Sequence, residues 1–174
     1  LEIGFRKGAL LALSQAPTVA VDPNPMLPAD FLDTHPHVHT VIKTSDDFFA
    51  DCDVKELMGG AVDFAFLDGL HHAEALLRDF ANTERVAAPD SVFVLHDCIP
   101  TDLGMTRRNP RDAFEHARNG IEWAGDVWKI IPILRKYRPN LKMCFLDAPP
   151  TGLVLVTDLD PSSTVIFDRF NELV

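Results

Sequence analysis

Short apolar runs rich in β-branched and aromatic residues alternate along this chain with stretches of helical periodicity, and that alternation leaves few possible architectures. Residues 1–3, 18–21, 39–42, 62–67, 91–95, 141–146 and 152–157 read as strands. Parallel neighbours need a crossover, so strand–helix–strand succession implies βαβ units in a mostly parallel sheet. Several runs are apolar without alternation, as expected where helices cover both sheet faces. Asp147-Ala148-Pro149-Pro150-Thr151-Gly152 joins the last two runs too tightly for a crossover, which predicts a hairpin and an antiparallel edge.

The helices are readable from apolar spacing and caps. Ala73, Leu76, Leu77 and Phe80 fall at i, i+3, i+4 and i+7, with Glu74 and Arg78 four apart on the outer side. Ser45 or Asp46 is predicted to cap a helix that turns Phe48, Phe49 and Cys52 inward and closes at Gly59-Gly60. Residues 9–15 are predicted to be helical after a glycine turn. Val127, Ile130, Ile131 and Leu134 repeat the spacing, and Pro132 must kink that helix or delay its start. Residues 98–125 differ: Pro100, Gly104, Pro110 and Gly120 punctuate a polar stretch with room for one short helix near 112–118. Long irregular connections of this kind often carry function.

Composition narrows the function classes. With 174 residues, 47% of them apolar, the chain suits one domain over 1–174. Leu1 stands within a strand, so a preceding N-terminal segment is expected to be missing. A net charge of -10 and no basic run argue against a grip on nucleic-acid phosphates, leaving a small-molecule partner. Cys52, Cys98 and Cys144 lack CxxC spacing, which gives no zinc knuckle and no disulfide framework and points to a reducing cytoplasm. No apolar stretch approaches the roughly 20 residues of a membrane span. A homo-oligomer stays open.

Two strands end on acid and histidine: Phe66-Leu67-Asp68-Gly69-Leu70-His71-His72 and Val94-Leu95-His96-Asp97. Carboxyl ends of parallel strands border the ligand crevice, so His96, His71 and Asp97 are candidate catalytic residues, with His72 entering the next helix. A neutral histidine suits proton removal near cellular pH. Asp68 and Asp97 also form a candidate cation site, for a divalent ion such as magnesium. His35-Pro36-His37-Val38-His39 reads as a solvated approach to the third strand rather than a zinc site, and Trp123 and Trp128 read as packing residues. At the other end of the chain, Glu2-Ile3-Gly4-Phe5-Arg6-Lys7-Gly8 makes a glycine loop after a strand, and Asp22 ends the next strand where an acid can accept from ribose hydroxyls.

Glu2-x-Gly4-x-x-x-Gly8, Asp22, Ser45-Asp46-Asp47-Phe48-Phe49, Asp68-Gly69-x-His71, Leu95-His96-Asp97 and Gly125-Asp126-Val127-Trp128-Lys129 together resemble the class I S-adenosylmethionine-dependent methyltransferases. The resemblance is to the small-domain group that includes sugar and natural-product O-methyltransferases, and it spans nearly the whole chain. It implies a Rossmann-like, doubly wound α/β sheet of seven strands in the order 3-2-1-4-5-7-6, with strand 7 antiparallel. It also implies S-adenosylmethionine as cofactor. Glu2 would lie near the methionine amino group, and Gly4 and Gly8 under the methionine moiety with Phe5 in the same loop. Asp22 would meet the ribose, Ser45 and Asp46 the adenine, and Asp68 the cofactor's border. The acceptor would be a small hydroxylated molecule. Arg6 departs from the family's glycine pattern, as do His96 and Cys98 on either side of Asp97. Two other readings are a nicotinamide-dependent oxidoreductase, whose GxGxxG loop Arg6-Lys7-Gly8 does not supply, and a non-catalytic binding module on the same fold.

Overall fold

The structure, a computed structural model, describes residues 1–118 and 122–174. Gly120, expected to interrupt the long polar stretch, lies outside the described residues. Seven strands form one sheet: β1 (Glu2–Ile3), β2 (Thr18–Val21), β3 (Val38–Val41), β4 (Val62–Leu67), β5 (Ala87–His96), β6 (Lys142–Leu146) and β7 (Leu153–Thr157). Their order is β3-β2-β1-β4-β5-β7-β6. β1 to β5 pair in parallel, whereas β7 runs antiparallel to both β5 and β6. Both the order and the hairpin edge agree with expectation. β1 pairs with β2 on one side and β4 on the other, so the winding reverses there and the carboxyl ends of β1 and β4 flank a crevice.

The helices are α1 (Phe31–Thr34), α2 (Ser45–Asp51), α3 (Val54–Met58), α4 (Ala73–Glu84), α5 (Pro110–His116), α6 (Ile130–Tyr137) and α7 (Val165–Leu173). α4 buries Leu76, Leu77 and Phe80 against the sheet, where Phe80 meets Phe93 edge-on at 5.6 Å. Each such side chain contributes about 1.5–3 kcal/mol by leaving water. The main core joins these residues to Ile3, Phe48, Leu67, Leu95, Ile130 and Leu134. A smaller cluster of Phe5, Leu11, Ala20, Phe31 and Val38 covers the β2–β3 end of the opposite face. Among the described residues, no helix is long and apolar enough to cross a membrane.

Several boundaries differ from expectation for local physical reasons. Residues 9–15 form only a 3₁₀ turn at Leu11–Leu13. There Ser14 Oγ lies 2.8 Å from Thr18 Oγ1, and the Thr18 hydroxyl donates to the Ala16 carbonyl at 2.9 Å, local bonds that compete with a helix. Thr44, not Ser45 or Asp46, caps α2 by accepting from the Asp47 amide at 3.2 Å. Cys52 is extended and Asp53 caps a separate α3, which ends at left-handed Gly59. Pro132 delays the helix rather than kinking it: a 3₁₀ turn spans Val127–Lys129, and the proline falls in the first turn of α6, where no amide donor is needed. α7 was not anticipated, although Ile166, Phe170 and Leu173 carry its apolar spacing.

Candidate active site

At the end of β1 the chain turns through Gly4, whose φ is +84° and whose missing Cβ would sit 1.9 Å from the Asp68 carbonyl oxygen. Only glycine fits this close approach of two strand-end loops. Arg6 has a left-handed φ of 31°, and its amide donates to Asp22 Oδ2 at 2.8 Å. The Asn24 amide donates to Asp22 Oδ1 at 2.7 Å. The loop and the acid are thus tied together, and each Asp22 oxygen keeps a lone pair for a ligand hydroxyl. The Arg6 side chain is exposed. Phe5 turns its ring into the smaller core cluster, which leaves only its backbone near the loop. Gly8 packs on Leu27 and Phe31.

Glu2 is buried beside this loop. Desolvation, and then the negative charge of Asp68, push its carboxyl up to about 7, so an incoming ammonium group would be well received. At the start of α2, both oxygens of Asp46 are held at 2.8 Å by the Arg78 guanidinium. Ser45 lies near Asp79, a residue of α4 that the motif reading passed over. Asp79 is 1% exposed and neither carboxylate oxygen has a hydrogen-bond partner. Its Oδ2 lies 3.1 Å from where a Cβ on Gly69 would stand.

The chemical end brings together the four residues expected there. His96 Nδ1 is 3.2 Å from both Asp68 Oδ1 and Asp97 Oδ1. Burial acts to lower the His96 pKa, but the two carboxylates outweigh it and raise it to about 10. Asp97 is itself desolvated, yet His96 and His71 hold it below the usual carboxylate range. His71 Nε2 stands 3.6 Å from Asp68 Oδ1, and its Nδ1 donates to the Trp123 carbonyl at 2.8 Å. Asp97 Oδ2, 3.2 Å from the same Nδ1, lies off the hydrogen-bond direction and keeps no partner. His72 stands apart at the N-cap of α4, with its Nε2 3.3 Å from the Arg108 carbonyl.

Asp68, His71 and Asp97 offer ligand atoms within 4.8 Å of one another, and the orphaned Asp97 oxygen suits a cation. This donor set mixes nitrogen with oxygen, which favours manganese, iron or zinc over magnesium. His35 stacks on Phe31, and His37 bonds the Ser14 carbonyl, so that triplet is tied into the β3 approach. Cys98 is buried and its thiol pKa is pushed up, first by desolvation, so it is unreactive.

The residues just before α6 pack on His71. Its ring stacks on Trp123 with centroids 4.5 Å apart. Gly125, with φ of +60°, presses on the His71 carbonyl so closely that a Cβ would sit 1.8 Å from its oxygen. The Asp126 amide donates to that oxygen at 3.3 Å, and Asp126 Oδ1 accepts from the Ala73 amide at 2.9 Å. Arg108 and Lys129 hold Asp126 Oδ2 at 2.8 and 2.9 Å. In the sequence these residues were visible only as the Gly-Asp-Val-Trp-Lys motif and a packing tryptophan.

A family profile described as "Methyltransferase domain" matches residues 1–98, from β1 to just beyond Asp97. No curated protein sequence matches the chain. Among solved structures, the O-methyltransferase TomG from Streptomyces achromogenes, involved in tomaymycin synthesis and complexed with SAM, aligns with a TM-score of 0.58 at 18% identity, covering 90% of this chain and 70% of that one. An O-methyltransferase family protein from Burkholderia thailandensis gives 0.56 at 18%, covering 90% and 49%. LepI in complex with SAM gives 0.51 at 12%, covering 91% and 42%. At these identities the likeness is one of fold, and the chain spans about half of the second protein and less of the third.

Proposed function

Because the chain belongs to the methyltransferase-domain family, we propose that it moves the methyl group of S-adenosylmethionine to an oxygen of a small hydroxylated acceptor, with His71 as the base. The observation that carries this reading is the placement of a glycine loop tied to Asp22 directly beside the cluster of Asp68, His71, His96 and Asp97. Gly4 and Gly8 let the loop pack against Asp68, Leu27 and Phe31 while its backbone fixes Asp22, which takes the ribose hydroxyls, and Glu2 receives the amino group. The bound sulfonium supplies an already activated methyl group. What remains for the chain is alignment, which can contribute roughly 7–11 kcal/mol, and proton removal.

The acceptor hydroxyl gives its proton to His71 Nε2 as its oxygen takes the methyl carbon and the carbon–sulfur bond breaks. His96 is the poorer base because two carboxylates keep it protonated. Its positive charge instead offsets part of the desolvation that raises the Asp68 pKa, and helps hold Asp97 below the usual carboxylate range. A second reading rests on the orphaned Asp97 oxygen: Asp68, His71 and Asp97 would hold a transition-metal ion, which would supply Lewis acidity toward the acceptor hydroxyl.

Calorimetry with S-adenosylmethionine and S-adenosylhomocysteine tests the cofactor reading, and failure of the folded chain to bind either one overturns it. Transfer of labelled methyl groups to a panel of phenols, flavonols and sugars then tests the reaction. His71→Ala is expected to lower turnover about 10²- to 10⁴-fold with cofactor affinity little changed. Activity abolished by a chelator and restored by manganese would move the assignment to the metal reading. Tight cofactor binding with no transfer to any acceptor would favour a non-catalytic module.

A further inference from the structure

We propose that Trp123, Gly125 and Asp126 are positioning residues that set the tautomer of His71 and aim its Nε2 lone pair at the acceptor. The proposal rests on the reading that His71 acts on the acceptor, and it holds whether Nε2 takes a proton or a metal ion. A neutral imidazole carries one N–H and one lone pair, and the hydrogen bond made by one nitrogen decides the role of the other. The Trp123 carbonyl can only accept. At 2.8 Å it places the hydrogen on Nδ1 and leaves the lone pair on Nε2, the nitrogen that faces Asp68 Oδ1 at 3.6 Å.

That carbonyl has to be held in place, and the neighbouring contacts do so on both sides of His71. The Asp126 amide donates to the His71 carbonyl, while the Asp126 carboxylate takes the Ala73 amide two residues further on. Gly125 permits this approach, since any side chain there would collide with the His71 backbone. Ring stacking on Trp123 fixes the imidazole plane. Arg108 and Lys129 bind the other Asp126 oxygen and balance its buried charge. A purely structural role would be to cap α4, and it would leave the choice of ring nitrogen untouched.

The test is nitrogen-15 NMR of the full chain labelled at histidine, with His71→Gln assigning the signal. In wild type the neutral His71 ring is expected to show the Nδ1–H form. Gly125→Ala and Asp126→Leu are expected to shift it largely to the Nε2–H form, with S-adenosylhomocysteine affinity kept within about threefold, since the displaced groups contact His71 rather than the Asp22 side. Asp126→Asn keeps an oxygen for the Ala73 amide and should retain the Nδ1–H form even though it melts earlier. Trp123→Phe keeps the carbonyl and the ring, should also retain that form, and serves if the other variants do not fold. An Nε2–H signal in wild type overturns the proposal, as does an unchanged tautomer in Gly125→Ala or Asp126→Leu. Loss of cofactor binding in wild type would instead sink the functional reading and leave the tautomer result standing.

Discussion

Asp79 keeps its carboxyl in the core with both oxygens unbonded, and desolvation above all pushes its pKa from 3.8 to about 7; nearby Ser45 only eases the charge. A carboxyl whose folded pKa lies above its unfolded one binds its proton more tightly when folded. Stability therefore falls as pH rises from about 4 to about 7 and levels off above. Asp79→Asn is expected to flatten that fall and to gain on the order of 2 kcal/mol near pH 8, read by urea unfolding at acid and mildly alkaline pH. Glu2 shifts in the same direction and keeps part of the slope. His96 shifts in the same direction over a higher range: its folded pKa of about 10 exceeds 6.5, so the stability it contributes as a cation is complete below pH 6.5 and is lost as pH rises through 10. Its ring proton resonances should not titrate between pH 6.5 and 8; a midpoint near 6.5 would show that Asp68 and Asp97 do not hold it charged. These environments were closed to inspection of the sequence, where Asp79 is one more acid on a helix and His96 resembles any strand-end histidine.

At the scale of elements, near-neighbour periodicity was a good guide wherever one element met one face. The bounds of β2 and β4 and the apolar stripe of α4 followed from spacing alone. It failed at residues 9–15, where side chains near the turn bond the backbone, whereas the stripe of Ile166, Phe170 and Leu173 in α7 is present in the sequence. It also gave no sign of the buried pair between Glu84, at the end of α4, and Arg138, just after α6. Both side chains are 3% exposed, and Glu84 Oε1 also accepts from the Asp160 amide at 3.0 Å. This pair ties two helices to the segment leading into α7. Glu84→Ala strands a buried guanidinium and is expected to cost about 3–5 kcal/mol, measured by chemical denaturation; a loss below about 1 kcal/mol would mean that water reaches the pair.

For the molecule as a whole, the reversal of winding between β1 and β4 brings the Gly4 loop, Asp22 and the acid–histidine cluster to one edge of the sheet. A ligand binding there braces both halves, so S-adenosylhomocysteine at a hundredfold excess over its Kd should add about 2.7 kcal/mol to stability. An unmoved melting temperature would mean that the folded chain does not bind it. Much of this was legible in the sequence. Alternating runs set the α/β class, the short proline-rich link set the antiparallel edge, and the strand-end acids and histidines marked the crevice, because each depends on residues close together in the chain. The strand order came through resemblance to a family, not through spacing. Only the tertiary structure decided that Arg78 occupies Asp46, that Asp79 lies unpaired beneath Gly69, that His96 carries charge, and that Trp123 chooses the free nitrogen of His71. Those outcomes depend on burial and on partners brought together from distant parts of the chain, and no local pattern encodes which of the available partners a side chain will meet.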